Sequence, residues 1–106
     1  MIDINALQNI YKNDEVYATI HVSEKIKERK IKMKDIRFAV MNGEITEQYP
    51  DDFSYPSCLI LGSAPDGTPV HIVMSYEGNR SSLITAYRPD PDKWSDDFKL
   101  RKEKEQ

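Results

Sequence analysis

One cysteine, two histidines and no long apolar run set the first limits on this sequence. Cys58 has no second cysteine to pair with, which excludes an intramolecular disulfide and a cysteine-rich zinc site. His21 and His71 have no third nitrogen or sulfur ligand near them in sequence, so no metal is expected. Walker, GxGxxG, HExxH and EF-hand patterns are all missing, so the expectation extends to no cofactor. No apolar segment approaches the roughly 20 residues of a membrane span. The opening MIDINALQNIYKND lacks the basic start and apolar stretch of a secretory signal. These absences point to a cytoplasmic domain in a reducing compartment, with no membrane partner.

What is present suffices for a fold. A chain of 106 residues makes one domain, residues 1–106, and one of this size buries about two thirds of its unfolded surface. Hydrophobic residues are 39% and charged residues 31%, polar for a globular protein but too rich in Ile, Leu, Val and Tyr for disorder. The net charge of −3 is unevenly spread. Residues 21–37 carry Lys25, Lys27, Arg29, Lys30, Lys32, Lys34 and Arg37 against Glu24, Glu28 and Asp35, a net +4. Residues 38–56 carry a net −4. An acidic chain with one basic stretch can still present a local positive field to an anion, although lysines on a helix also serve simply to solvate it.

The order of elements is legible. Asp3 is placed to N-cap a helix in which Ile4, Leu7, Ile10 and Tyr11 recur at helical spacing. VYATI, 16–20, reads as a strand. Ser23 stands as the N-cap of EKIKERK, anchored by Ile26. A further helix starts at Lys34-Asp35 with Ile36, Ala39 and Val40 as its apolar stripe, and Asn42-Gly43 closes it by left-handed C-cap chemistry. Period-2 segments then follow at 44–49, 57–62, 69–76 and 82–88, separated by short turns. The expected class is α+β: N-terminal helices packed on a four-stranded, mostly antiparallel meander. The tail from Lys93 reads as a helix at most and, with its charged end 96–106, is expected to dock loosely at best.

The polar residues left over form a constellation with a chemical use. Metal-free RNA cleavage needs a base for the 2′-hydroxyl and an acid for the leaving oxygen, and histidine serves both near neutral pH. His21 and His71 are the candidate catalytic pair. Lys25, Arg29 and Arg88 are candidate phosphate clamps. Tyr49 and Tyr87 are candidates to stack a base, with Thr85 beside Tyr87 on one strand face. Each also has a structural use: His21 as a helix-start residue, His71 as a neutral core histidine, Arg29 in a surface ion pair, the tyrosines as core edges. Two functions therefore stand open. One is a metal-independent endoribonuclease acting on RNA. The other is a non-catalytic binding or regulatory module on the same fold, acting through a protein or nucleic-acid contact at the acidic segment 38–56 or at the aromatics Tyr49, Phe53 and Tyr55.

The strings HVSEKIKERKI, MNGEITEQYPDD, SCLILG, GTPVHIVMSY and LITAYRPDPDKW, in that order, resemble the domain of unknown function 4258 family. In that family a histidine opens a helix of the form HAxxRMxERGI, followed by NGEIIExYP, a Leu-Leu-Gly strand, a PLHVV strand and a TVYxPD strand. The resemblance covers residues 16–95, leaving 1–15 as an additional N-terminal helix. It marks His21, Glu28, Arg29, Gly43, Glu44, Tyr49, Pro50, Gly62, His71, Tyr87 and Pro89 as family-pattern positions. This chain departs from the pattern at Lys25, where the family has arginine, and at Lys30, where it has glycine. The family is similar in outline to the RelE and BrnT ribonuclease toxins, which implies helices over a twisted antiparallel sheet and a cognate antitoxin or other protein as partner. Those toxins are usually strongly basic, and this chain is not.

Overall fold

The computed structural model describes residues 1–102. Helix α1 spans Ile4–Lys12, with the Asp3 carboxylate accepting from the Asn5 N–H at 2.8 Å, and it buries Leu7, Ile10 and Tyr11. The helix closes with Asp14 in the left-handed region (φ 56°). There the N–H groups of Asp14 and Glu15 return to the carbonyls of Tyr11 and Ile10, which satisfies the end of the helix.

The expected strand over 16–20 is cut to β1, Val16–Tyr17. Thr19 caps the next helix: its hydroxyl accepts from the Val22 N–H at 3.1 Å, so α2 runs Ile20–Glu28 and takes in Ser23 as an interior residue. Threonine suits both a strand and a cap, and here its hydroxyl bonds locally. Ile26 is the buried anchor of α2. Lys30 then takes φ 58°, and the N–H groups of Lys30 and Ile31 return to the carbonyls of Lys27 and Ile26. Ile26 and Ile31 are both buried, the usual apolar accompaniment of this stop. A lysine thus occupies the left-handed position where the family pattern places glycine.

Helix α3, Met33–Met41, starts one residue before the expected Lys34 and buries Ile36, Ala39 and Val40 as read from the sequence. Its end differs. Asn42 has φ −118°, and Gly43 is not in the left-handed region either. Glycine is required for space instead. A Cβ on Gly43 would meet the carbonyl oxygens of Ala39 and Leu61, and a Cβ on Gly62 would run into the Ala39 carbonyl. These two glycines let α3 lie directly on the sheet.

Strands β2 (Glu44–Tyr49), β3 (Ser57–Ser63), β4 (Pro69–Ser75) and β5 (Ser81–Tyr87) form the expected antiparallel meander. The sheet nevertheless has five strands, in the order β1-β5-β4-β3-β2, and is mixed, because β1 lies parallel to β5. The four-stranded expectation left the 16–20 strand outside the sheet, because its pairing partners, Ser81 and Ser82, are distant in sequence. Cys58, Ile60, Val70, Ile72, Met74, Leu83 and Ala86 join the helices in one core.

The opposite face of the sheet is also covered, contrary to the expectation of a loose tail. Residues after Pro89 fold back across it. Trp94 is buried and bridges to Arg101, and the Lys102 N–H bonds the Lys93 carbonyl at 2.9 Å. Lys99 Nζ pairs with Glu44 on β2 at 2.7 Å. Residues 103–106 of the expected tail lie outside the described residues.

Two substitutions test this account. Lys30→Gly relieves a left-handed lysine and is expected to raise stability by up to about 1 kcal/mol, a few degrees in Tm. Gly62→Ala forces α3 off the sheet and is expected to cost about 2–3 kcal/mol. Thermal and urea unfolding followed by circular dichroism read both; a neutral Gly62→Ala would disprove the close-approach account.

Candidate functional site

Strand alternation builds one polar cluster on the tail-covered face. Leu61, His71 and Tyr87 are cross-strand neighbours, and Glu47, Leu59, Val73 and Thr85 form the adjacent row. His71 is 0% exposed. Its Nε2 lies 2.9 Å from the Phe98 carbonyl, which can only accept, so Nε2 carries the proton and donates. Nδ1 is then the acceptor for the Tyr87 hydroxyl at 3.3 Å. Trp94 packs edge-on against the imidazole, with ring centroids 4.4 Å apart. Burial holds the His71 pKa below its ordinary value, against the opposing effects of the Phe98 carbonyl and Glu47.

Around this imidazole the tail supplies charge. Arg101 bonds Glu47 at 3.2 Å and lies over the Trp94 ring at 4.7 Å. The Tyr49 hydroxyl donates to Glu47 at 2.6 Å. Burial alone would raise the Glu47 pKa, but the bonds from Tyr49 and Arg101 hold it below the usual carboxylate value. Burial, together with the bond to Glu47, pushes Tyr49 up to about 12. Burial likewise raises Tyr87. Glu47, Trp94, Phe98 and Arg101 were not singled out in the sequence. The signal available for them was a lone tryptophan in an otherwise charged tail.

The remaining sequence candidates lie elsewhere. Arg29, at the end of α2, donates to Thr85 Oγ1 at 3.0 Å and to the Ala86 carbonyl at 2.9 Å. Arg88 donates back to the carbonyls of Arg29 at 2.6 Å and Lys30 at 3.1 Å. The two arginines, expected as phosphate clamps, are the fastening between α2 and β5. Lys25 is exposed and pairs with Glu28 at 3.7 Å. His21 is exposed on the first turn of α2, about 12 Å along the axis from Arg29 at the usual helical rise. None of the contacts around His71 comes from His21 or Lys25. The structure therefore gathers His71, Tyr87, Tyr49 and Thr85 on one sheet face, with Arg29 at its margin, and leaves His21 and Lys25 apart from them.

The basic stretch has its own surface. Lys27, Lys30, Lys32 and Lys34 are exposed and make no ion pair among the described residues. Cys58 faces the core, where burial pushes its thiol up to about 12 and removes it as a nucleophile. Among the described residues no three His, Cys, Asp or Glu side chains gather as a metal site, and no helix is long and apolar enough to cross a membrane.

One family model, described as Domain of unknown function (DUF4258), matches residues 18–88. That range contains α2, α3, the meander and His71, and it ends before Trp94. No curated protein and no solved structure matches the chain, so the outline likeness to the RelE and BrnT toxins gains no support from them.

The two roles assigned to cations separate in mutants. Arg88→Ala is expected to cost about 1–2 kcal/mol, because two charge-assisted bonds to helix-end carbonyls are lost. Lys25→Ala is expected to stay within about 0.5 kcal/mol. The buried His71 also gives stability a pH dependence. The unfolded chain takes up a proton as pH falls through about 6.5 while the folded chain resists it. Stability is thus complete above that pH and declines below it, by at most about 1.4 kcal/mol per pH unit. Urea unfolding from pH 7.5 to 5.5 should show this slope in the parent and lose most of it in His71→Phe; equal slopes would rule out a neutral, sealed imidazole.

Proposed function

This chain belongs to the family described as Domain of unknown function (DUF4258), and from that premise we propose that it is a non-catalytic RNA-binding domain. The exposed cations of residues 21–37 hold the phosphates. The observation that carries this reading is the contrast between the two groups of sequence candidates. His71 is fully buried with both ring nitrogens engaged, whereas Lys27, Lys30, Lys32 and Lys34 stand exposed without ion-pair partners among the described residues. An acid or base must come within hydrogen-bond reach of the reacting oxygen, which favours binding over cleavage by a His21 and His71 pair. Lysines free of internal partners are the groups that release counterions from a phosphate chain.

The acidic remainder narrows the ligand. With a net charge of −3, the chain outside the basic stretch repels a long rigid duplex. A single strand bends to a patch one helix long and engages only a few phosphates. Three to four contacts predict a plot of log affinity against log salt with a slope between about −2 and −3.

Fluorescence anisotropy with a labelled single-stranded RNA tests this. Binding should weaken with salt at that slope. A Lys27→Glu, Lys32→Glu double variant should lose at least about tenfold affinity at low salt, and the RNA should stay intact in chelator. Absence of binding at low salt would refute the proposal. Products with 2′,3′-cyclic phosphate ends, lost in His21→Ala, would instead establish the endoribonuclease.

A further inference from the structure

The basic stretch borders a cavity of about 370 Å³, between the end of α1, strand β1 and the start of α3. That volume is in the range of small-ligand sites, about 300–1,000 Å³. Tyr11 contributes buried apolar surface, and Tyr17 and Met33 form half-exposed walls. Both Tyr17 and Met33 remain accessible although each would lose apolar surface to a flat ligand, at 44% and 47% exposure. The Tyr17 ring is held in place: Arg80 lies over it at 4.2 Å and its hydroxyl donates to Glu15 at 2.6 Å. Three charged groups complete the lining: Lys34, Arg37 and Asp14. Arg37 Nη1 touches Asp14 Oδ1 at 3.4 Å, a long and exposed contact, and Asp14 Oδ2 has no partner among the described residues.

A half-open apolar cavity with cations and a carboxylate at its rim fits a nucleobase still attached to its phosphate. The carboxylate narrows the base. An ionised Asp only accepts hydrogen bonds. Guanine presents two adjacent donors on its Watson–Crick edge, N1–H and the N2 amino group. Adenine and cytosine present a ring-nitrogen acceptor next to their amino group, and uracil flanks its single N–H with two carbonyls. Those acceptors would face the Asp14 carboxylate and be repelled. We propose that this cavity accepts one unstacked guanine of the bound strand, with Tyr17 and Met33 against the base, Asp14, steadied by Arg37, on its donor edge, and Lys34 on its phosphate. The inference rests on the RNA-binding reading and adds to it a base preference at a named place.

Labelled octauridine, compared with the same strand carrying one central G, A or C, tests the proposal by anisotropy. The G strand is expected to bind about five- to tenfold more tightly than octauridine, and the A and C strands within about twofold of it. In Asp14→Asn the ratio of G strand to octauridine should fall to about one. Asparagine tolerates the left-handed backbone at this position, so the variant folds, and its melting curve checks this. Tyr17→Ala should likewise collapse the ratio. A titration with 5′-GMP, read on the Met33 methyl signal, separates a free nucleotide from a base in a strand. If octauridine and the G strand bind equally, the cavity proposal is overturned while the basic surface stands. If no strand binds but 5′-GMP shifts the Met33 methyl in the parent and not in Asp14→Asn, the strand reading falls and the cavity stands as a guanine nucleotide site. If 5′-GMP also has no effect, both fall.

Discussion

The end of α2 and the chain at the end of the last strand hold each other by reciprocal bonds, and the placement of the basic stretch between α2 and α3 follows from that fastening. Arg29 reaches out of the helix to Thr85 and Ala86, and Arg88 reaches out of the strand to the carbonyls of Arg29 and Lys30. Helix-end carbonyls lack intrahelical donors, and an arginine fork from a neighbouring strand supplies them while complementing the negative end of the helix. The stop at Lys30 sends the chain into α3 at once, and Gly43 and Gly62 let α3 settle on the sheet. Two arginines are thereby committed to structure, whereas Lys27, Lys30, Lys32 and Lys34 around them are exposed and make no ion pair among the described residues.

The second constraint is the sheet's outer face. Strand alternation puts Leu59 and His71 there, and both are fully buried in the folded chain. A half-covered imidazole would lose its hydrogen bonds without gaining water, so the segment from Trp94 to Arg101 supplies an aromatic edge, a carbonyl and a guanidinium together. The family match ends at residue 88, so this cover lies outside the matched region although it closes over a residue inside it. The perturbed pKa values of His71, Glu47, Tyr49 and Tyr87 arise from this burial and from bonds within the cluster. Such perturbation often marks catalysis, but structural networks produce it equally.

Much of the fold was legible before any coordinates, because its signals are local. Asp3 as a cap, the apolar stripes of α1 and α3, the Asp66-Gly67 turn and the alternation of the meander each depend on neighbours within a few residues. The errors have equally definite sources. Thr19 and Ser23 are both competent caps, and Thr19 is the one whose hydroxyl accepts a free N–H of the helix's first turn, that of Val22. Asn42-Gly43 signals backbone freedom, whereas the use of Gly43 is the space its missing side chain leaves. The tail was read from its charge, which conceals the one tryptophan that anchors it.

For the site, the residue types alone established which chemistries this chain could attempt: one cysteine, two imidazoles, one basic stretch and no cofactor motif. Only the tertiary structure decided which of those groups meet a solvent-borne ligand. Exposure, pairing and the distance between His21 and His71 are set by contacts across fifty or more positions, and no local periodicity encodes them. The exposed lysines, the sealed imidazole and the cavity beside Asp14 are outcomes of how the helices and tail close on the sheet.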